Sequence, residues 1–193
     1  MNEKPSSESA RASWPALFLD RDGVLVENRP DYVRQWSDAV ILPGVAAELA
    51  RLNPSPLRIV IVTNQSAVGR GLITHAQAES INRALVDEIV AAGGRVDGVY
   101  MCPHAPEDGC SCRKPRPGLL LEAARDLSID LAGSILIGDA ESDLQAGRAA
   151  GIRRNILVRT GRGRDEAIAR SASGNDAVPV YDDLVQALRA LFP

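Results

Sequence analysis

The stretch Phe18-Leu19-Asp20-Arg21-Asp22-Gly23-Val24 constrains this chain most, because an apolar run stops there on two aspartates spaced two apart and a glycine. Ala16 to Leu19 reads as a buried strand, and side chains at i and i+2 share one side of a strand or of the turn that leaves it. The Asp20 and Asp22 carboxylates therefore converge on one small volume. Two like charges repel there unless a cation offsets them, which makes the pair a candidate metal site at the carboxyl end of a parallel sheet. The plainer reading is an aspartate-rich turn or helix cap, and the rest of the chain decides between the two.

Beyond that point short apolar runs alternate with amphipathic segments. The predicted strands are Ala16–Leu19, Arg58–Thr63, Gly98–Met101, Ser134–Gly138, Asn155–Val158 and Val178–Val180. The predicted helices are Gly44–Leu52, His75–Ala92, Pro117–Leu127, Ser142–Ala150, Asp165–Arg170 and Asp182–Leu191. Such alternation implies an α/β fold, a doubly wound parallel sheet with helices on both faces. A length of 193 residues fits one domain, expected over residues 14–193, behind a Ser-, Glu- and Lys-rich leader at Met1–Ser13 that is expected to be disordered. The net charge of −3 gives no general attraction to nucleic acid or to an anionic membrane. No apolar stretch reaches the length of a membrane span and the N-terminus lacks a hydrophobic secretion segment, so a cytoplasmic protein is expected.

Three further strand ends carry polar groups suited to phosphate chemistry. In Ile59-Val60-Ile61-Val62-Thr63-Asn64-Gln65-Ser66 a buried strand runs into hydroxyl and amide side chains, which can hold phosphate oxygens or simply shape a turn. In Arg113-Lys114-Pro115 a lysine precedes a helix; near two carboxylates it would neutralise a bound phosphate, whereas alone it is a solvated loop residue. In Ile135-Leu136-Ile137-Gly138-Asp139-Ala140-Glu141-Ser142-Asp143 another strand ends on a carboxylate, with Asp143 four residues on, either facing the same cleft or only favouring the helix dipole.

All three cysteines and one of the two histidines fall in the segment Cys102-Pro103-His104 to Cys110-Ser111-Cys112. Three thiolates and an imidazole make a closed tetrahedral set for Zn²⁺. A disulfide framework would leave one cysteine unpaired, and incidental loop cysteines are the remaining alternative. With no open coordination position the zinc is expected to be structural, ordering the Pro103–Gly109 loop beside the phosphate site.

Taken in order, Asp20 and Asp22, Thr63, Lys114, then Asp139 and Asp143 resemble the four motifs of the haloacid-dehalogenase-like phosphatases, over roughly Ala16 to Leu191. The resemblance implies a Rossmannoid sheet with a minimal cap and a Mg²⁺-dependent phosphatase. Asp20 would be the nucleophile that becomes phosphorylated and Asp22 the general acid/base. Thr63, Asn64 and Lys114 would bind the phosphoryl group, and Asp20, Asp22 and Asp139 would hold Mg²⁺ with Asp143 in support. The zinc loop running into Arg113-Lys114-Pro115 narrows the resemblance to a nearly capless branch that contains heptose bisphosphate phosphatases and histidinol-phosphate phosphatases. Thr63-Asn64-Gln65-Ser66-Ala67-Val68-Gly69-Arg70-Gly71, with Tyr32-Val33 and Pro43-Gly44, is similar to the heptose group's pattern, from which Ala67 and Ala140 depart.

The physical logic agrees with these roles. A carboxylate attacks phosphorus only when its repulsion by the phosphate anion is screened, which Mg²⁺ and Lys114 would do. A sugar bisphosphate carries a second phosphate, and arginine makes bidentate contacts to such groups. Arg70, Arg113 and Arg116 are the candidates for it. The expected partner is thus a small phosphorylated sugar, with the chain acting as a monomer. An alternative of a different class is a zinc-stapled nucleic-acid module or DNA-end phosphatase using the arginine-rich stretch Arg153 to Arg170. It is disfavoured by an aromatic content of 4% and by the acids Asp165 and Glu166 within that stretch.

Overall fold

A computed structural model describes residues 13–174 and 177–193. The expected leader lies outside the described residues, apart from Ser13. Six parallel strands, β1 (Ala16–Leu19), β2 (Arg58–Asn64), β3 (Gly98–Cys102), β4 (Ile135–Gly138), β5 (Arg154–Val158) and β6 (Val180–Tyr181), form one sheet in the order β3-β2-β1-β4-β5-β6. The helices are α1 (Val45–Arg51), α2 (Ser66–Gly69), α3 (His75–Ala91), α4 (Gly118–Leu127), α5 (Glu141–Ala149), α6 (Gly163–Ala172) and α7 (Leu184–Leu191). Every predicted strand and helix has its counterpart, with ends that differ by no more than a few residues.

The sheet is buried on both faces, and the strand sequences reflect it. Leu17 and Leu19 of β1, Ile59 and Ile61 of β2, and Ile135 and Ile137 of β4 point into one core, where they meet Val45 and Leu49 of α1, Leu85 and Ile89 of α3, and Leu184 and Leu188 of α7. The intervening Ala16, Phe18, Val60, Val62 and Leu136 point into the other, against Leu119, Leu120 and Ala123 of α4 and Ala146 of α5. A strand with two buried faces needs apolar residues at every position, so these strands are continuous hydrophobic runs and not alternating ones. Burying such side chains contributes about 1.5–3 kcal/mol each, which is why the strands carry the architecture.

The order β3-β2-β1-β4-β5-β6 places the topological switch between β1 and β4, where connections depart in opposite directions and open a crevice beyond the strands' carboxyl ends. Asp20 follows β1 directly, and its peptide N–H donates to the Ile137 carbonyl of β4 at 3.1 Å. Asp139 follows β4. The two carboxylates are therefore brought to one crevice by strand pairing alone.

Candidate active site and metal centre

At the crevice Asp20, Asp139 and Asp143 come together, with ligand oxygens within 4.8 Å of one another and all three side chains buried. Asp143 sits in the first turn of α5, where one carboxylate oxygen accepts the Ala140 peptide N–H at 3.1 Å while the other lies 2.6 Å from Lys114 Nζ. It thus does both things the sequence allows, favouring the helix start and facing the cleft. Asp139 accepts from the Arg162 peptide N–H at 2.9 Å and is paired with the Arg162 guanidinium at 3.2 Å. Gly161 passes so close that a Cβ there would lie 2.2 Å from an Asp139 oxygen, and its φ of +58° is a conformation that L side chains rarely adopt.

Lys114 is buried between the acids. Its ammonium is 2.8 Å from Asp20 Oδ1, 2.6 Å from Asp143 Oδ1, and donates to the Val62 carbonyl at 2.8 Å. Held by one hydrogen bond and two ion pairs, it offers an incoming phosphoryl group its charge. Burial alone would lower the Lys114 ammonium, but the Asp143 and Asp20 carboxylates hold it above its ordinary value and fully protonated. Asp20 is pushed up to about 6, first by burial and then by Asp143 and Asp22, with Lys114 opposing. Burial and Asp20 also raise Asp139, against Arg162.

Three buried carboxylates against the two cations Lys114 and Arg162 leave excess negative charge in a small volume. That imbalance, with oxygen-only donors, fits a hard divalent cation such as Mg²⁺. Asp22 is not part of the cluster. Its carboxylate faces Arg21 and the Gln65 amide, with Gln65 Nε2 at 2.8 Å.

Thr63, next to last in β2, is fully buried, and its hydroxyl accepts from Gln65 Nε2 at 2.8 Å. Asn64, expected at the phosphate, is bonded to the Lys114 main chain in both directions and also lines the cleft. That cleft, of about 250 Å³, is lined among others by Asp20, Asp22, Asn64, Arg70, Arg113 and Arg162. A larger cavity of about 510 Å³ near β5 and β6 has no carboxylate in its lining, so the chemistry selects the smaller one. Arg113 is anchored by Ser66 Oγ at 2.8 Å and by the His104 carbonyl at 3.1 Å. Arg70 is partly exposed and only 3.7 Å from Glu107 at closest, which leaves it free to turn to a ligand. Arg116 does not line this cleft and donates to the Gly109 and Cys110 carbonyls of the zinc loop.

Cys102, His104, Cys110 and Cys112 converge beside the cleft. Sulfur–sulfur separations are 3.3–3.6 Å, and His104 Nδ1 is 3.6 Å from Cys102 Sγ and 3.4 Å from Cys112 Sγ. Zn–S bonds of about 2.3 Å in a tetrahedron set ligand–ligand edges of roughly 3.5–3.8 Å, so the set fits a closed zinc site. Burial pushes the Cys102 thiol up to about 12 in the absence of a cation, and a bound metal is what would make it a thiolate. The loop is fastened to the active site by packing as well. A Cβ on Gly69 of α2 would lie 2.4 Å from the Ala105 nitrogen, so only glycine permits that approach.

Gln65 and Arg162 were not picked out as site residues from the sequence. Gln65 lay inside a recognised motif but had no role. Arg162 lay in the arginine-rich stretch read as a possible nucleic-acid surface. In the fold Arg162 turns to Asp139, Arg159 to Asp182 at 2.8 Å, and Arg170 to Glu141, so those arginines serve internal ion pairs.

A doubly wound parallel sheet carries buried aspartates and a lysine at the carboxyl ends of its central strands, the α/β class with a polar site at the topological switch. Residues 111–187 match the family model described as HAD-hydrolase-like. The chain belongs to the haloacid-dehalogenase-like hydrolases. It is 41% identical over 148 residues, 77% of this chain and 82% of the relative, to the D-glycero-β-D-manno-heptose-1,7-bisphosphate 7-phosphatase of Bordetella bronchiseptica. It is 38% identical over 157 residues, 78% of this chain and 82% of the relative, to the enzyme of that name from Escherichia coli K12. Among solved structures, the D,D-heptose 1,7-bisphosphate phosphatase of B. bronchiseptica complexed with magnesium and phosphate superposes with a TM-score of 0.84 at 37% identity, covering 92% of this chain and 97% of that one.

Proposed function

We propose that this chain is a Mg²⁺-dependent phosphatase that removes the 7-phosphate of D-glycero-D-manno-heptose 1,7-bisphosphate through an aspartyl-phosphate on Asp20. The observation that carries the reading is the buried Asp20–Lys114–Asp143 cluster beside Asp139 in a chain 41% identical to a phosphatase of that name. Relatives named for the heptose substrate favour it over histidinol phosphate.

Asp20, Asp139 and Asp143 are the side chains that would hold Mg²⁺, which when bound screens the substrate phosphate from the acids. Asp20 Oδ1 is fixed by Lys114 and by the Arg21 peptide N–H at 2.7 Å, which sets the direction of the carboxylate. Asp20 attacks phosphorus, the bond from phosphorus to the C7 oxygen breaks, and Asp22 supplies a proton to the departing alkoxide. Asp22 then takes a proton from water as that water attacks phosphorus, releasing inorganic phosphate and restoring Asp20. With its carboxylate turned to Arg21 and Gln65, Asp22 is assigned to proton transfer and not to the metal. Thr63 donates to a phosphoryl oxygen, Asn64 secures the Lys114 turn beneath it, and Arg70 and Arg113 receive the distal phosphate.

Residues 14–193 are read as one phosphatase domain with its zinc loop at 102–112, supported by the single six-stranded sheet. A monomer without nucleic-acid or membrane partners belongs to the same reading, with a net charge of −3 giving no general attraction to nucleic acid or to an anionic membrane. Among the described residues no helix is long and apolar enough to cross a membrane. A cytoplasmic setting suits three cysteines kept as thiols for a metal.

The test is phosphate release with heptose 1,7-bisphosphate and histidinol phosphate side by side. A kcat/KM higher for the bisphosphate supports the assignment, and preference for histidinol phosphate overturns it.

A further inference from the structure

Asp22 is gripped on both of its oxygens. Arg21 Nη2 donates to Oδ1 at 3.0 Å and Arg21 Nε to Oδ2 at 3.2 Å, while Gln65 Nε2 donates to Oδ2 at 2.8 Å. Arg21 is itself 1% exposed and is fixed from below by Asn82 Oδ1 of α3 at 2.9 Å. An arginine fork on a carboxylate fixes orientation as well as distance. Gln65 is buried too, and its second amide hydrogen goes to Thr63 Oγ1 at 2.8 Å. Reversing that amide would put its carbonyl oxygen against the Asp22 carboxylate, so the donor orientation is the one the chemistry requires.

We propose that Gln65 and Arg21 are positioning residues that hold Asp22 in the one orientation from which it exchanges a proton with the substrate, and that Gln65 also aims the Thr63 hydroxyl at the phosphoryl group. The inference rests on the phosphatase reading given above. Two donors saturate Oδ2, whereas Oδ1 has one and keeps a free lone pair, so the transferred proton is carried on Oδ1. It passes from there to the leaving alkoxide as the phosphorus–oxygen bond breaks, and returns from water in the second step. Because Thr63 Oγ1 accepts from Gln65, its own hydrogen is left for an acceptor, and among the described residues no protein group takes it. A phosphoryl oxygen in the cleft is the acceptor it waits for. Asn82, on α3 and outside the cleft lining, supports the same carboxylate at one remove.

The experiment compares kcat/KM for heptose 1,7-bisphosphate, whose alkoxide needs a proton to leave, with that for p-nitrophenyl phosphate, whose phenolate scarcely does. It uses the full chain with saturating Mg²⁺ and the variants Asp22→Asn, Gln65→Leu and Asn82→Leu. Asp22→Asn should lose about 10²–10⁴-fold on the sugar ester and far less on the aryl ester. Gln65→Leu should lose about 10–100-fold on the sugar ester, with a several-fold smaller loss on the aryl ester, and Asn82→Leu should show the same split at smaller size. A merely structural role would lower both esters alike. Equal losses in Gln65→Leu and Asn82→Leu beside an intact split in Asp22→Asn would overturn the clamp and leave the phosphatase reading standing. No split in Asp22→Asn would overturn the role of Asp22, and the clamp with it.

Discussion

Asn64 and Lys114 exchange two hydrogen bonds, Asn64 Nδ2 donating to the Lys114 carbonyl and the Lys114 peptide N–H donating to Asn64 Oδ1, both at 3.1 Å. The pair ties the end of β2 to the Arg113-Lys114-Pro115 turn and so fixes where the Lys114 ammonium enters the acid cluster. Asn64→Ala leaves that turn unfastened and two main-chain groups without partners. The expected result is a loss of about 1–3 kcal/mol in stability, read by denaturant unfolding, together with a fall of about 10–100-fold in kcat/KM.

Acid should weaken Mg²⁺ binding through Asp20. Burial, with Asp143 and Asp22 beside it, pushes its carboxyl up to about 6, so below that pH a proton competes with the cation. The expected outcome is a Mg²⁺ Kd that rises by about tenfold per pH unit below 6, measured by isothermal titration between pH 5 and 8. The stability consequence has the opposite sense. A folded value raised above the unfolded one gives stability that is present at low pH and lost as pH rises through about 6, so added Mg²⁺ should raise Tm more at pH 7.5 than at pH 5.

Zinc should be bound at about one equivalent per chain independently of magnesium, as a closed set of four ligands requires. Cys110→Ser should lower zinc content and reduce activity through the loop that carries the His104 carbonyl, one of the two anchors of Arg113. Metal analysis of protein purified without chelator provides the check, and a zinc-free active protein would contradict the assignment.

Glu48 of α1 offers a stability test away from the site. It is buried, pairs with Arg51 at 2.9 Å and Arg189 at 2.6 Å, and the Arg51 hydrogen bond holds its carboxyl below the usual range. Because both arginines are substantially exposed, the pairs are worth only about 1 kcal/mol together. A depressed folded value means this stability is present above the unfolded value and lost as pH falls through the folded one. Glu48→Gln should therefore be less stable than wild type at pH 7, with the difference shrinking toward pH 3 in urea titrations.

The strands were legible because burial on two faces forces runs such as Arg58–Thr63, and the meeting of Asp20 with Asp139 because each follows an apolar run that ends at the same edge of the sheet, whereas Asp22, expected beside them, turns to Arg21 and Gln65. The convergence of Cys102, His104, Cys110 and Cys112 was legible from residue type and spacing alone. Helix α2, four residues long, has too few positions to show a period and is absent from the helices the sequence predicts. Arg162 was not legible, since its contact with Asp139 spans 23 residues and depends on β5 pairing beside β4. Gln65 was missed for a related reason. Its partner Asp22 is 43 residues away in sequence and meets it only when β1 and β2 pair in register.

The most direct measurement is an acid-quenched single turnover with heptose bisphosphate labelled at the 7-phosphate, followed by mapping of the label on the protein and the same run with Asp20→Asn. The expected result is transient label on the peptide containing Asp20, decaying as phosphate appears, with neither label nor phosphate from the Asp20→Asn protein. Label on another residue, or phosphate release at near wild-type rate from Asp20→Asn, would contradict the aspartyl-phosphate mechanism.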